Sequence, residues 1–124
     1  MIQVKYPEMR KELEEHLQAL ADPAYQRRAW VDGQAEGAVQ HDKFDYAVHF
    51  LYDDTQLASD AHSTVGWILN DAAEADCVTA LVSSIEVVFE RYGTKLSDAE
   101  YIDLPEWHSV VLAAKTAAAS LMRR

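Results

Sequence analysis

The chain has 124 residues, 49% hydrophobic and 10% aromatic, with 11 Lys+Arg against 21 Asp+Glu for a net charge of −10. That is one domain's worth of chain, enough to bury about two-thirds of its unfolded surface in a single core. The apolar content excludes a disordered tail, no apolar run reaches membrane length, and the acidity disfavours phosphate backbones and anionic lipids, so neither nucleic acid nor membrane is expected as a partner.

Taken in chain order, the elements read as helices. Pro7 suits a first helical turn, where a missing N–H costs nothing. Met9, Leu13, Leu17 and Leu20 then recur at three- and four-residue steps, which predicts an amphipathic helix to about Ala21. Asp22-Pro23 caps and starts a short second helix ending near Trp30 or Val31. The stretch Asp32 to Gly37 reads as a loop with two of the four glycines. Asp42 can cap a third helix whose stripe is Phe44, Ala47, Val48 and Leu51. A strand over Tyr46 to Tyr52 fits the residue types but not the spacing, because Ala47-Val48 and Phe50-Leu51 are adjacent apolar pairs. Asp53 to Thr64 reads as a polar loop. Val65, Trp67, Ile68 and Leu69 form a short apolar knot around Gly66.

The clearest helix follows. Asp71 and Glu74 have capping-box spacing. Val78, Leu81, Val82, Ile85, Val88, Phe89 and Tyr92 hold helical period, and Gly93 stands where a left-handed C-terminal residue is wanted. Ser97 with Glu100 is a second capping box, opening a short helix with Tyr101 and Ile102. Pro105 starts the last helix, whose core face carries Val110 or Val111, Ala114, Ala118, Leu121 and Met122. The expectation is an all-α fold over residues 1–124, a single compact bundle of five or six helices. Cys77 is the only cysteine, so no intrachain disulfide forms, and it reads as a small core residue. The first seven residues contain no apolar signal-peptide core, which points to a cytoplasmic protein.

The charge is uneven. Residues 1–31 balance five bases with five acids, whereas residues 32–122 carry 16 acids and four bases. A surface of that sign attracts a basic protein, or it serves solubility alone. The most acidic short segment holds Asp98, Glu100, Asp103 and Glu106, with no base between Ser97 and Glu106. Beside it stands Trp107, the best interface candidate among the three tryptophans. All three, Trp30, Trp67 and Trp107, read as core anchors first.

Asp45, His49 and Asp53 recur at steps of four on one helix face, with Asp54 adjoining. The column could poise a base or ligate a metal. A solvated face with His49 held by local ion pairs is the simpler reading, since three ligands from one helix rarely converge on one ion. No Glu-x-x-His, His-Glu-x-x-His, paired-thiolate, phosphate-loop or nucleophile-elbow motif occurs. No catalytic residue, metal or cofactor is therefore assigned.

Several blocks together carry a resemblance: Tyr6-Pro7-x-Met9-Arg10, Leu20-Ala21-Asp22-Pro23-x-Tyr25-Gln26, Trp30-Val31, the run from Phe44 to Thr55, Gly66-Trp67-Ile68-Leu69, Tyr92-Gly93-Thr94, Ser97 to Ile102 and Pro105-Glu106-Trp107. In this order they resemble a family of short, acidic, functionally uncharacterised actinobacterial proteins of about 120 residues. The resemblance implies a family identity and no catalytic residue. Small size and acidity are also similar to immunity proteins of bacterial toxin systems, an analogy between classes. The expected function is a non-enzymatic cytoplasmic binding module, immunity-like or regulatory, that engages a basic protein through acidic helix ends. The alternatives are a small enzyme or metal-binding protein using the Asp45/His49/Asp53 face, and a homodimer whose acidity serves solubility.

Overall fold

A computed structural model describes residues 4–33 and 43–122. Seven helices, and no strand, occur among the described residues. Helix α1 spans Pro7–Leu20 and buries Leu13, Leu17 and Leu20, the predicted stripe. Helix α2 spans Pro23–Tyr25, capped by the Asp22 side chain on the Tyr25 N–H, and continues as a wider π-helical segment, Gln26–Val31. Helix α3 spans Phe44–His49 and likewise widens over Phe50–Asp54. The predicted cap Asp42 and the loop after Gly33 lie outside the described residues.

The segment read as a polar loop is partly helical. Helix α4 spans Leu57–Asp60 and tightens into a 3₁₀ turn, Ala61–Thr64. Its apolar signal is thin, yet Leu57, Ala61 and Thr64 are buried, so tertiary packing overrides the local polarity. This element takes the helix count above the expected five or six. The knot at Gly66 is a turn: Gly66 has φ +91°, the left-handed side that favours glycine, and buries Ile68 and Leu69.

Helix α5 spans Ala72–Tyr92, α6 Asp98–Ile102 and α7 Trp107–Met122. Helices α5 and α7 pack along their lengths, and α1 lies against α7. Val78, Leu81, Ile85 and Val88 of α5 face Val110, Ala114, Ala117 and Leu121 of α7 in one core. Met122 departs from the predicted core face and is 43% exposed. At the far end Trp30, Phe44, Phe89, Tyr101 and Trp107 interlock, with Phe44 edge-on to Trp107 at 4.9 Å between centroids.

Two buried polar side chains tie the layers together. Arg10 reaches Glu74 with both guanidinium nitrogens, at 2.8 and 2.9 Å, and donates to the carbonyls of Ile68 at 3.1 Å and Leu121 at 2.9 Å. Gln26 donates to the carbonyls of Ala19 and Leu20, closing the end of α1, and its Oε1 accepts from the Trp107 indole at 2.9 Å. Asp71 caps α5 as expected. Glu74 reaches back one residue further, to the Asn70 N–H, and spends the rest of its carboxylate on Arg10.

Candidate functional site

The four carboxylates of the acidic segment, which runs from the start of α6 into the turn before α7, all have partners within the fold. Asp98 accepts from the Phe44 N–H at 3.2 Å and so caps α3 from 54 residues away. Ser97 and Glu100 form the predicted capping box, and the Ser97 N–H and hydroxyl hold the Glu100 carboxyl below its ordinary range. Asp103 pairs with Arg27 at 3.0 Å. Glu106 accepts from the Tyr92 hydroxyl at 2.8 Å and Arg91 at 2.7 Å, which also lowers its pKa.

Trp107 is 3% exposed and hydrogen-bonded to Gln26, so in this fold it anchors the core and presents no surface to a partner. Trp30, 8% exposed, is also a core residue. Trp67 reverses the expectation at 43% exposed. Its ring stacks on Tyr6 at 5.7 Å under the ammonium of Lys5. The neutralising bases Arg27 and Arg91 left no local signal, because each lies on a helical segment away from the α6–α7 turn that holds its acid.

The helical column assembles as its spacing predicts. His49 Nε2 lies 3.3 Å from Asp45 and Nδ1 lies 2.5 Å from Asp53. The hydrogen bond to Asp53, then the charge of Asp45, raise the His49 pKa above 6.5. The two carboxylates occupy opposite ring edges, so the trio does not converge on one point. Among the described residues no group of three or more His, Cys, Asp or Glu side chains is arranged to hold a metal ion.

His49 and Asp54 also border a feature the sequence did not reveal. An open groove of about 1140 Å³ runs along α1 towards α2 and α3. Five carboxylates line it, from Glu8, Glu12, Glu15, Asp22 and Asp54, against the cations of Lys11 and Arg28. His16, with Glu12 at 3.6 Å, and the rings of Tyr25 and Tyr46 complete its walls. Asp22 is spent on capping α2. Glu8, Glu15 and Asp54 make no hydrogen bond or ion pair with other described residues. Glu8, Glu12 and Glu15 are the off-stripe acids of an amphipathic helix. Only the packing of α2 and α3 beside α1 turns that solvated face into a wall.

No helix among the described residues is long and apolar enough to cross a membrane. No match emerged among curated proteins or solved structures. The sequence pattern of one family, described as a domain of unknown function (DUF7945), matches residues 4–124. Spanning all the helices described above, that match makes the chain a member of the DUF7945 family.

Proposed function

We propose that this chain is a non-enzymatic binding module that engages a basic protein partner, with the α1 groove as the principal contact. The observation that carries the reading is the difference between its two acidic regions. The carboxylates of Asp98, Glu100, Asp103 and Glu106 already have partners within the fold. Those of Glu8, Glu15 and Asp54 face an open groove with no hydrogen-bond or ion-pair partner among the described residues. Unpaired carboxylates in a concave surface focus the field of a chain carrying −10 and steer a cationic partner into it. The rings of Tyr25 and Tyr46 on its wall are already covered by Arg28 at 5.7 Å and Lys43 at 6.0 Å, so the carboxylates carry the attraction. The actinobacterial origin, the cytoplasmic setting and the immunity-like or regulatory role expected from the sequence belong to the same proposal.

Two charge-neutral variants locate the surface. Glu8→Gln/Glu15→Gln/Asp54→Asn removes the groove's unpaired charge, whereas Asp103→Asn/Glu106→Gln removes charge from the paired segment. A basic protein captured with the wild-type chain should associate with the groove variant at least about tenfold more slowly at low salt, with the difference shrinking as salt is raised. The 103/106 variant should change association by less than about threefold, on the same steering argument. A partner indifferent to the groove variant, or recovery of no basic protein, refutes the proposal. A partner sensitive only to the 103/106 variant returns the contact to the helix ends.

A further inference from the structure

Two imidazoles stand in the wall of the α1 groove. His16 lies on α1, 3.6 Å from Glu12 and ring to ring with Phe50 at 5.0 Å, with 16% of its side chain exposed. His49 comes from the end of α3 and is bracketed by Asp45 and Asp53. The other ionisable groups around them are Glu8, Lys11, Glu12 and Glu15 from α1, and Asp22, Tyr25 and Arg28 from the α2 side. Helix α3 and its widened end add Asp45, Tyr46, Asp53 and Asp54, with Lys43 over the Tyr46 ring. Histidine is the one side chain whose ordinary charge change falls between pH 5 and 8. Within that window the charge of the groove therefore changes through its imidazoles. Five carboxylates against two cations give the lining a formal charge of −3 with both imidazoles neutral, and of −1 with both protonated. Two protons thus remove most of the groove's negative charge.

We infer that the α1 groove is a pH-gated site, which takes its basic protein partner when His16 and His49 are neutral and releases it when they are protonated. The gate rests on the groove reading proposed above and adds the regulation of that site. His49 is its better-defined half. The hydrogen bond to Asp53 and the charge of Asp45 put the step of this ring on the neutral side of 6.5. When the ring is neutral, the two carboxylates that hold the imidazolium become available to a cationic partner. The coupling runs both ways: acid expels the partner, and a bound partner drives protons off the imidazoles into solvent. A unit charge about 7 Å from a cationic group in water changes an association constant about threefold, so two imidazoles change it about tenfold at low salt.

Fluorescence anisotropy of labelled hexalysine, titrated with the full chain at low salt, tests this. Wild-type affinity should rise about tenfold from about pH 5.5 to about pH 8.5. His16→Gln/His49→Gln should bind at both pH values as the wild type does at the higher one. His62→Gln, whose imidazole pairs with Asp76 outside the groove, should keep the full dependence. His49 is 57% exposed, so His49→Gln alone serves where the double variant does not fold, and should reduce the dependence to about threefold. The His49 titration followed by NMR should move to lower pH on adding hexalysine. Glu8→Gln/Glu15→Gln/Asp54→Asn separates the gate from the groove. Hexalysine that binds this variant as well as the wild type at about pH 8.5, or binds neither, refutes the groove and the gate together. Hexalysine that loses affinity for it, yet binds the wild type equally at both pH values or keeps its pH dependence without the two histidines, overturns the gate alone.

Discussion

Removing Arg10 should be among the most damaging single changes in the protein. Its guanidinium satisfies both oxygens of Glu74 and two main-chain carbonyls, from the turn at Ile68 and from the end of α7 at Leu121. Both side chains are buried, at 9% and 5% side-chain exposure. Arg10→Met keeps the length of the aliphatic stem and deletes the charge. Glu74 then retains the Asn70 N–H and no cation, and stranding a buried carboxylate costs about 3–5 kcal/mol. At this chain length 1 kcal/mol moves the melting temperature by about 4 °C, so a fall of about 12–20 °C is expected. Glu74→Leu should cost less, because the guanidinium keeps both carbonyls and Glu14 at 3.6 Å. The double variant Arg10→Met/Glu74→Leu removes both charges and leaves two carbonyls to satisfy, at about 1–3 kcal/mol each. It should therefore be destabilised by at least about 2 kcal/mol less than the sum of the single variants. Urea unfolding of the four proteins closes the cycle. A single-variant cost below about 1 kcal/mol, or strict additivity, would show that the pair is screened and that the clamp does not hold α1, α5 and α7 together.

Leu81→Ala and Ile85→Ala should each cost about 2–5 kcal/mol in urea unfolding, because both side chains are fully buried against α7; losses below about 0.5 kcal/mol at both positions would remove α5 from the centre of the core. Trp107→Phe strands the Gln26 carbonyl oxygen and should cost about 1–3 kcal/mol beyond its packing loss, whereas the Trp30 indole N–H has no partner among the described residues, so Trp30→Phe should lose packing alone; equal effects in calorimetry would contradict the contrast. His49 has a raised folded-state pKa, so its contribution is fully present below 6.5 and fades as pH rises through the higher folded value. The imidazole titration followed by NMR should have its midpoint above 6.5 and move down in Asp53→Asn; an unmoved midpoint would exclude the Asp53 hydrogen bond as the cause.

Where one helix face does one job, the sequence was legible. Leu13, Leu17 and Leu20 of α1 and the Val78–Val88 period of α5 are buried as their spacing predicts. The Ser97–Glu100 box and the Asp45–His49–Asp53 column are also in place, because each closes within one turn or at steps of four. Helix α4 was not legible, since its four residues carry one strongly apolar side chain and take their stability from the helices around them. Trp107 is the core anchor expected of it and Trp67 is not, for the same reason. Residue type says that a tryptophan is an anchor, but only packing decides whether it anchors a core or an exposed stack. The acidic segment was legible as charge and not as balance, because Arg27 and Arg91 lie far from Asp103 and Glu106 in the chain. The groove has no local signature either, because its walls come from α1, α2 and α3 and meet only when those helices pack.

The contact between Arg10 and the Leu121 carbonyl spans 111 residues, and it joins the first and last of the described helices, which pack side by side. During synthesis α1 emerges first and its docking surface on α7 emerges last. At about 5–20 residues per second, roughly 5–20 s separate the two. Through that interval Leu13, Leu17 and Leu20 have no α7 to cover them, and Arg10 has no Leu121 carbonyl to bind. A 14-residue helix is at the margin of stability in isolation. The nascent chain thus holds α1 in reserve, and the core closes only once α7 is available to cover it. Ribosome-bound chains lacking α7 are the species in which chaperone binding and proteolysis would act on this protein.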